Sequence, residues 1–163
     1  MVRATFSVRR ALPNEATRLT SLAQEAKAHW GYPDGWLAAW QDDLTLTPSY
    51  ITAQQVLVAE SDAEAGVLGV VVLHDNGDHW SLEHVWVVPR AHGLGIGRAL
   101  VEQALAIARE RRREWVVRVE SDPHAAGFYK RLGATEVGSR AAPMDGAPAR
   151  ALPVFEFPAG SFA

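Results

Sequence analysis

Along this chain, segments in which apolar and polar residues alternate are separated by segments in which apolar residues recur every three or four positions. Alternation marks a strand with one buried face, and the longer recurrence marks an amphipathic helix. Thr5 to Arg10 alternates, with Phe6 and Val8 on one face, and predicts a first strand. Pro13 and Asn14 open a helix that runs to about Trp30 on a stripe of Leu19, Leu22, Ala23 and Ala26, and Gly31 ends it. Asp34 has the character of an N-cap for a short helix carrying Trp36, Leu37 and Trp40. Pro48 begins a loop or a helical turn. Val56 to Glu60 and Val67 to His74 are expected strands, joined by the polar Ser61–Gly66. Asn76-Gly77 is a strong hairpin signal, and Trp80 to Val88 is the strand that returns from it.

The second half continues in the same way. Gly95 to Arg113 predicts a helix with Leu100, Val101, Ala104, Leu105 and Ala108 on one side. Trp115 to Glu120 is a strand and His124 to Leu132 a short helix. Thr135 to Ser139 and Leu152 to Phe157 are closing strands, with a Pro-, Gly- and Ala-containing loop over Ala141–Arg150. No repeat and no interdomain linker is visible. The expectation is one α/β domain over residues 1–163, a mixed sheet with helices on both faces.

Composition narrows the function. At 163 residues and 48% hydrophobic, the chain can bury a real core. A formal net charge of −3 gives no support to nucleic-acid binding. With no cysteine there is no disulfide, no thiolate zinc site and no cysteine nucleophile; no metal is expected. Met1 to Leu12 lacks the apolar core of a secretory signal. The longest apolar run, Val67 to Leu73, is broken by Gly69 and is too short to span a bilayer. A cytoplasmic protein with no membrane association is expected. Fourteen arginines stand against two lysines, a bias read here as one of codon usage.

The most informative stretch runs from Val85 to Leu100. It is an apolar strand, a turn, three glycines at alternate positions (Gly93, Gly95, Gly97), and then a helix. Glycines let a backbone approach a bulky ligand, and a helix N-terminus offers unpaired N–H groups and the positive end of its dipole. Together they make an anion site, most often for phosphate. Two common phosphate loops are excluded by spacing. A nucleotide P-loop needs Lys and Ser/Thr where Arg98 and Ala99 stand, and a dinucleotide fingerprint needs a glycine where Arg98 stands.

His92-Gly93-Leu94-Gly95-Ile96-Gly97 instead resembles the acyl-CoA loop of the GNAT superfamily of N-acetyltransferases, with His92 where Arg or Gln is usual. A second motif resembles the family's later signature: in Asp122-Pro123-His124-Ala125-Ala126-Gly127-Phe128-Tyr129-Lys130-Arg131-Leu132-Gly133, the residues Ala125, Phe128, Tyr129, Leu132 and Gly133 match. Asp122 stands where Asn is usual, and His124 is a possible replacement for its contact to the pantetheine arm. The resemblance implies the GNAT fold, with a mostly antiparallel central sheet. It implies acetyl-CoA as cosubstrate, held by Val85, Trp86 and Val87, by His92, Gly93, Leu94, Gly95, Ile96, Gly97 and Arg98, and by Asp122, His124, Phe128 and Tyr129. It implies direct transfer to an amine without a covalent enzyme intermediate.

Such transfer needs a free amine and a protonated leaving thiolate. By resemblance Tyr129 is the proton donor. Strand alternation puts Ser81, Glu83, Val85 and Val87 on one face and Leu82, His84, Trp86 and Val88 on the other. Family members with a base on this strand favour the first face, which makes Glu83 the expected base in a partly dry cleft, with Glu120 in reserve. His84 reads as a packed histidine. Lys27-Ala28-His29-Trp30-Gly31-Tyr32, just before Trp36 and Trp40, crowds polar-tipped aromatics at one helix end. In the family this segment walls the acceptor site, so His29, Trp30, Tyr32 and Glu83 are the expected substrate contacts, with cation–π attraction available for an amine. A small-molecule amine is the expected acceptor, and a homodimer is possible. A protein N-terminus or lysine as acceptor, and a non-catalytic acyl-CoA-binding module on the same fold, are the alternatives.

Overall fold

The computed structural model describes residues 5–63 and 66–158. The first four residues, whose reading bears on a leader, and two residues of the Ser61–Gly66 connection lie outside that description. Seven strands follow the order β1-β2-β3-β4-β5-β7-β6. The chain divides into two compact units, Met1–Leu73 with His84–Ala104, and His74–Glu83 with Leu105–Ala163.

In the first unit β1 (Phe6–Arg10) pairs antiparallel with β2 (Gln55–Ser61), and β2 with β3 (Val67–Asp75). The β2–β3 register slips between Ala59 and Glu60, a bulge beside Gly69. Val56–Ala59 of β2 and Val67–Leu73 of β3 are buried without a break, so these stretches read as continuous apolar runs rather than alternating ones. α1 (Ala16–Ala28) buries Leu19, Leu22, Ala23 and Ala26, the expected stripe, and a 3-10 turn at Pro13–Glu15 precedes it. Gly31 follows α1 at φ +80°, the left-handed conformation that ends helices and suits glycine. α2 (Asp34–Ala39) begins one residue earlier than expected: Pro33 is the cap and Asp34 is the first helical residue. Pro48 opens a true helix, α3 (Pro48–Ala53), because the Thr47 hydroxyl accepts the Tyr50 N–H and caps it.

The second unit holds the β-hairpin tip, in which Asn76 N–H donates to the His79 carbonyl. Gly77 and Asp78 are therefore its central pair, one position on from the expected Asn76-Gly77, with Gly77 at φ +87°. From there β4 (Trp80–Val87) sets out and pairs in parallel with β5 (Val117–Glu120) at Trp80–Val117 and Ser81–Arg118. Antiparallel β7 (Ala151–Phe157) and β6 (Thr135–Ala141) complete the sheet, and α5 (Ala126–Arg131) follows a 3-10 turn at Pro123–Ala125. Phe155 and Phe157 on β7 are fully buried and centre this core. α4 (Ile96–Arg112) belongs to the first unit up to Ala104 and to the second from Leu105. Among the described residues no helix is long and apolar enough to cross a membrane.

Candidate active site

In the first unit the chain leaves β4 at Val88, turns through Pro89–Ala91 and reaches α4 by way of His92–Gly95. Gly93 and Gly95 sit at φ +82° and +83°, and nothing lies within 4 Å of where a Cβ would stand on either. The backbone is bare there, as a bulky anion requires. The first helical bond runs from Ala99 N–H to the Gly95 carbonyl, which leaves the N–H groups of Ile96, Gly97 and Arg98 ahead of the ladder. Seventeen aligned residues of α4 stand behind them. The Ile96 side chain itself is core, so this residue offers a ligand only its backbone. Arg98 is exposed and turned along the helix to Glu102 at 2.8 Å. These groups fit a pyrophosphate, and the half-buried Val85, Trp86 and Val87 on β4 lead up to them.

Gly69 fixes how closely α4 approaches. A Cβ there would lie 3.0 Å from Ile96 Cγ2, 3.0 Å from Leu100 Cδ1 and 3.1 Å from the Trp86 carbonyl. Its signal in the sequence was a glycine inside an otherwise apolar strand, a mark of close backbone approach.

The aromatic segment after α1 parts into two groups. The His29 ring stands 5.3 Å from that of His92, and Trp30 stacks on His92 at 6.5 Å. His92 in turn points Nε2 at the Val87 carbonyl, 3.1 Å away. These residues lie on the glycine loop. Tyr32 goes elsewhere. With Trp36 and Trp40 it forms a mutually packed trio at 5.0–5.9 Å between centroids. The Lys27 ammonium lies over two of these rings, 5.0 Å from Tyr32 and 4.3 Å from Trp40, and is 5.8 Å from the ring of Trp86 outside the trio. Sequence reasoning quoted Lys27 in this segment but gave it no role, and did not foresee this one for Trp86. The signal was there: Lys27 follows Ala23 by one helical turn and shares its buried stripe. His84 is buried as expected, and its Nδ1 accepts the Trp86 indole N–H at 2.9 Å.

In the second unit Tyr129 is 5% exposed, packed on Phe128 and Phe155. Burial, with Asp122 a lesser contributor, pushes its phenol well above the ordinary value of about 10, so it stays protonated. Asp122 caps the 3-10 turn, its carboxylate accepting the His124 N–H at 2.8 Å. His124 is exposed and Phe128 half-buried. Glu83 is exposed rather than in a dry setting, and accepts from Ser81 Oγ at 2.8 Å, which accepts in turn from Asn76. Glu120 is paired with Arg140 at 2.7 Å. Among the described residues no cluster could hold a metal ion.

Known proteins match this architecture. The acetyltransferase (GNAT) family pattern covers residues 17–134. A 5-NmdU N-acetyltransferase of Pseudomonas phage PaMx11 is 25% identical over 143 residues, covering 80% of this chain and 88% of the relative. Among solved structures, the PaiA N-acetyltransferase of Thermoplasma acidophilum, in complex with coenzyme A, superposes with a TM-score of 0.70 at 16% identity, covering 93% of this chain and 98% of that one. YncA of Salmonella typhimurium, solved with acetyl-CoA, gives 0.69 at 19%, covering 98% and 97%. At these identities the structural likeness is one of fold, whereas the family pattern spans most of the chain and both glycine-loop and tyrosine motifs. The chain belongs to the acetyltransferase (GNAT) family and is an N-acetyltransferase that takes its acetyl group from acetyl-CoA.

Proposed function

We propose that the acceptor is the primary amine of a small molecule, and that the acetyl group passes to it directly. The observation that carries this reading is the set of rings around an ammonium: Tyr32, Trp40 and Trp86 hold the Lys27 cation at 4.3–5.8 Å, the chemistry an alkylammonium acceptor would use. The similarity to an N-acetyltransferase named for 5-NmdU, not for a peptide, agrees with this reading. The pyrophosphate rests on the backbone of Gly93 to Arg98 and the arm follows Val85–Val87. Tyr129, protonated by its burial, supplies the proton to the departing thiolate. Glu83 takes the amine's proton through water, as its exposure favours; Glu120 is committed to Arg140. Asp122, His124 and Phe128 are the residues that the family resemblance gives to the arm. Tyr32 faces the acceptor, and His29, edge-on to His92, and Trp30, stacked on it, serve the boundary between acceptor and cofactor.

A panel of small amines and of peptides with free N-termini or lysines, read by release of CoA thiol, tests this. The chain has no cysteine to contribute background thiol. Turnover confined to small amines is expected; faster turnover of peptides would move the acceptor to the protein class.

A further inference from the structure

The chain carries two lysines, and they stand in opposite surroundings. Lys130 is a surface residue, its side chain 60% exposed and 3.7 Å from Glu136. Lys27 is 9% exposed and its Nζ is ringed by Tyr32, Trp40 and Trp86. A lysine normally keeps its ammonium in water and buries only its stem. Here nearly the whole residue is buried and the ammonium lies against aromatic rings.

The position of that head matters as much as its burial. Trp86 lies within Val85–Val87, the β4 segment leading into the glycine loop, and its ring is 5.8 Å from Nζ. Two residues beyond Lys27, His29 packs its ring 5.3 Å from His92 in the loop itself. Two independent contacts therefore dock the end of α1 on the segment that receives acetyl-CoA. The only buried primary amine among the described side chains stands beside that segment, in the ring set that an acceptor amine would use.

We propose that Lys27 is itself an acetyl acceptor: the protein acetylates its own Lys27 from acetyl-CoA. This rests on the reading that the cofactor arm follows Val85–Val87. The ammonium first gives one proton to solvent. The Nζ lone pair then attacks the thioester carbonyl carbon, the new N–C bond forms and the C–S bond breaks. CoA leaves as a thiolate and takes up the proton that the new amide nitrogen sheds, so the products are Nε-acetyl-lysine and CoA thiol. Acetylation removes the charge and with it the cation–π attraction, so the rings of Tyr32, Trp40 and Trp86 lose their resident cation.

The test incubates the full chain with acetyl-CoA and no added amine, then measures intact mass and maps the acetylated peptides. Thermal stabilisation by CoA, which carries no acetyl group, is read in parallel. The proposal expects one acetyl group per chain on Lys27, its loss in Lys27→Arg, and its loss in Gly95→Glu, where phosphate binding is blocked. Unassisted chemical acetylation would instead favour the exposed Lys130 and be indifferent to Gly95→Glu. Stabilisation by CoA with Lys27 unmodified, or modification of Lys130 ahead of Lys27, overturns the proposal alone. Absence of stabilisation by CoA overturns the cofactor reading and the proposal with it.

Discussion

The chemical role proposed for Tyr129 falls on a buried position. Its ring is held by Phe128 and Phe155 whether or not it bears a hydroxyl. Tyr129→Phe should therefore leave the acetyl-CoA KM nearly unchanged and lower kcat by ~10²–10⁴-fold, the usual contribution of a general acid. Unchanged kcat under conditions where chemistry limits turnover would reduce Tyr129 to a packing residue. The raised phenol pKa also sets a stability signature. Above the ordinary value of about 10 the unfolded chain loses this proton while the folded chain keeps it. The folded state then binds more protons, so stability present below that pH falls as pH rises. The melting temperature of wild type should drop above about pH 10 more steeply than that of Tyr129→Phe. At this scale the sequence showed the residue types and concealed their surroundings. Tyr129 and the glycines were legible because motif and spacing name them. The exposure of Glu83, the Arg140 partner of Glu120 and the enclosure of Lys27 were not, since each depends on neighbours distant in sequence.

Among the elements, α4 is placed by a single absent side chain. Gly69→Ala would press a Cβ against Ile96, Leu100 and the Trp86 carbonyl, and the backbone oxygen cannot swing aside. Overpacking of this kind costs ~1–3 kcal/mol, to be read by urea denaturation; a neutral result would mean that α4 shifts freely. The opening of the fold is tied down by charge. Arg9 bonds both carboxylate oxygens of Glu15, at 2.9 and 2.8 Å, and reaches Glu60 at 2.6 Å, joining β1 to the first helical turn and to β2. These bonds hold the Glu15 carboxyl below its ordinary range. Its contribution is present above the ordinary glutamate value and is lost as pH falls through the lowered folded one. Acid melting should therefore be shallower in Arg9→Gln than in wild type; parallel curves would show the cluster to be silent. Periodicity recovered nearly every element, because amphipathic stripes and alternating faces are local patterns. It misplaced the α2 cap and the hairpin centre by one residue each, since Asp34 and Asn76 could serve at either of two adjacent positions. Which one is used depends on Pro33 and on the pairing of Asn76 with His79.

For the whole molecule, the order of the parts carried the family reading: strand, glycine loop, long helix, strand, tyrosine motif. The two mid-chain motifs stand one helix and one strand apart in the sequence, and the family pattern spans both. What the order could not convey was the partition of the aromatic segment, with His29 and Trp30 set on the loop and Tyr32 around Lys27. The partition makes its own prediction. Trp30, 37% exposed, should tolerate Leu with little loss of stability, and Trp30→Leu should raise the KM for acetyl-CoA as well as that for the amine. An effect on the amine alone would return Trp30 to the acceptor wall. The central claim is that acetyl-CoA is held by its pyrophosphate on the bare backbone ahead of α4. Calorimetric titration of CoA into wild type and into Gly95→Glu tests it most directly, with circular dichroism confirming that both are folded. The glutamate would place a carboxylate against the phosphates, so binding should weaken by at least about tenfold, or about 1.4 kcal/mol. Equal affinity in the two folded proteins would contradict the account.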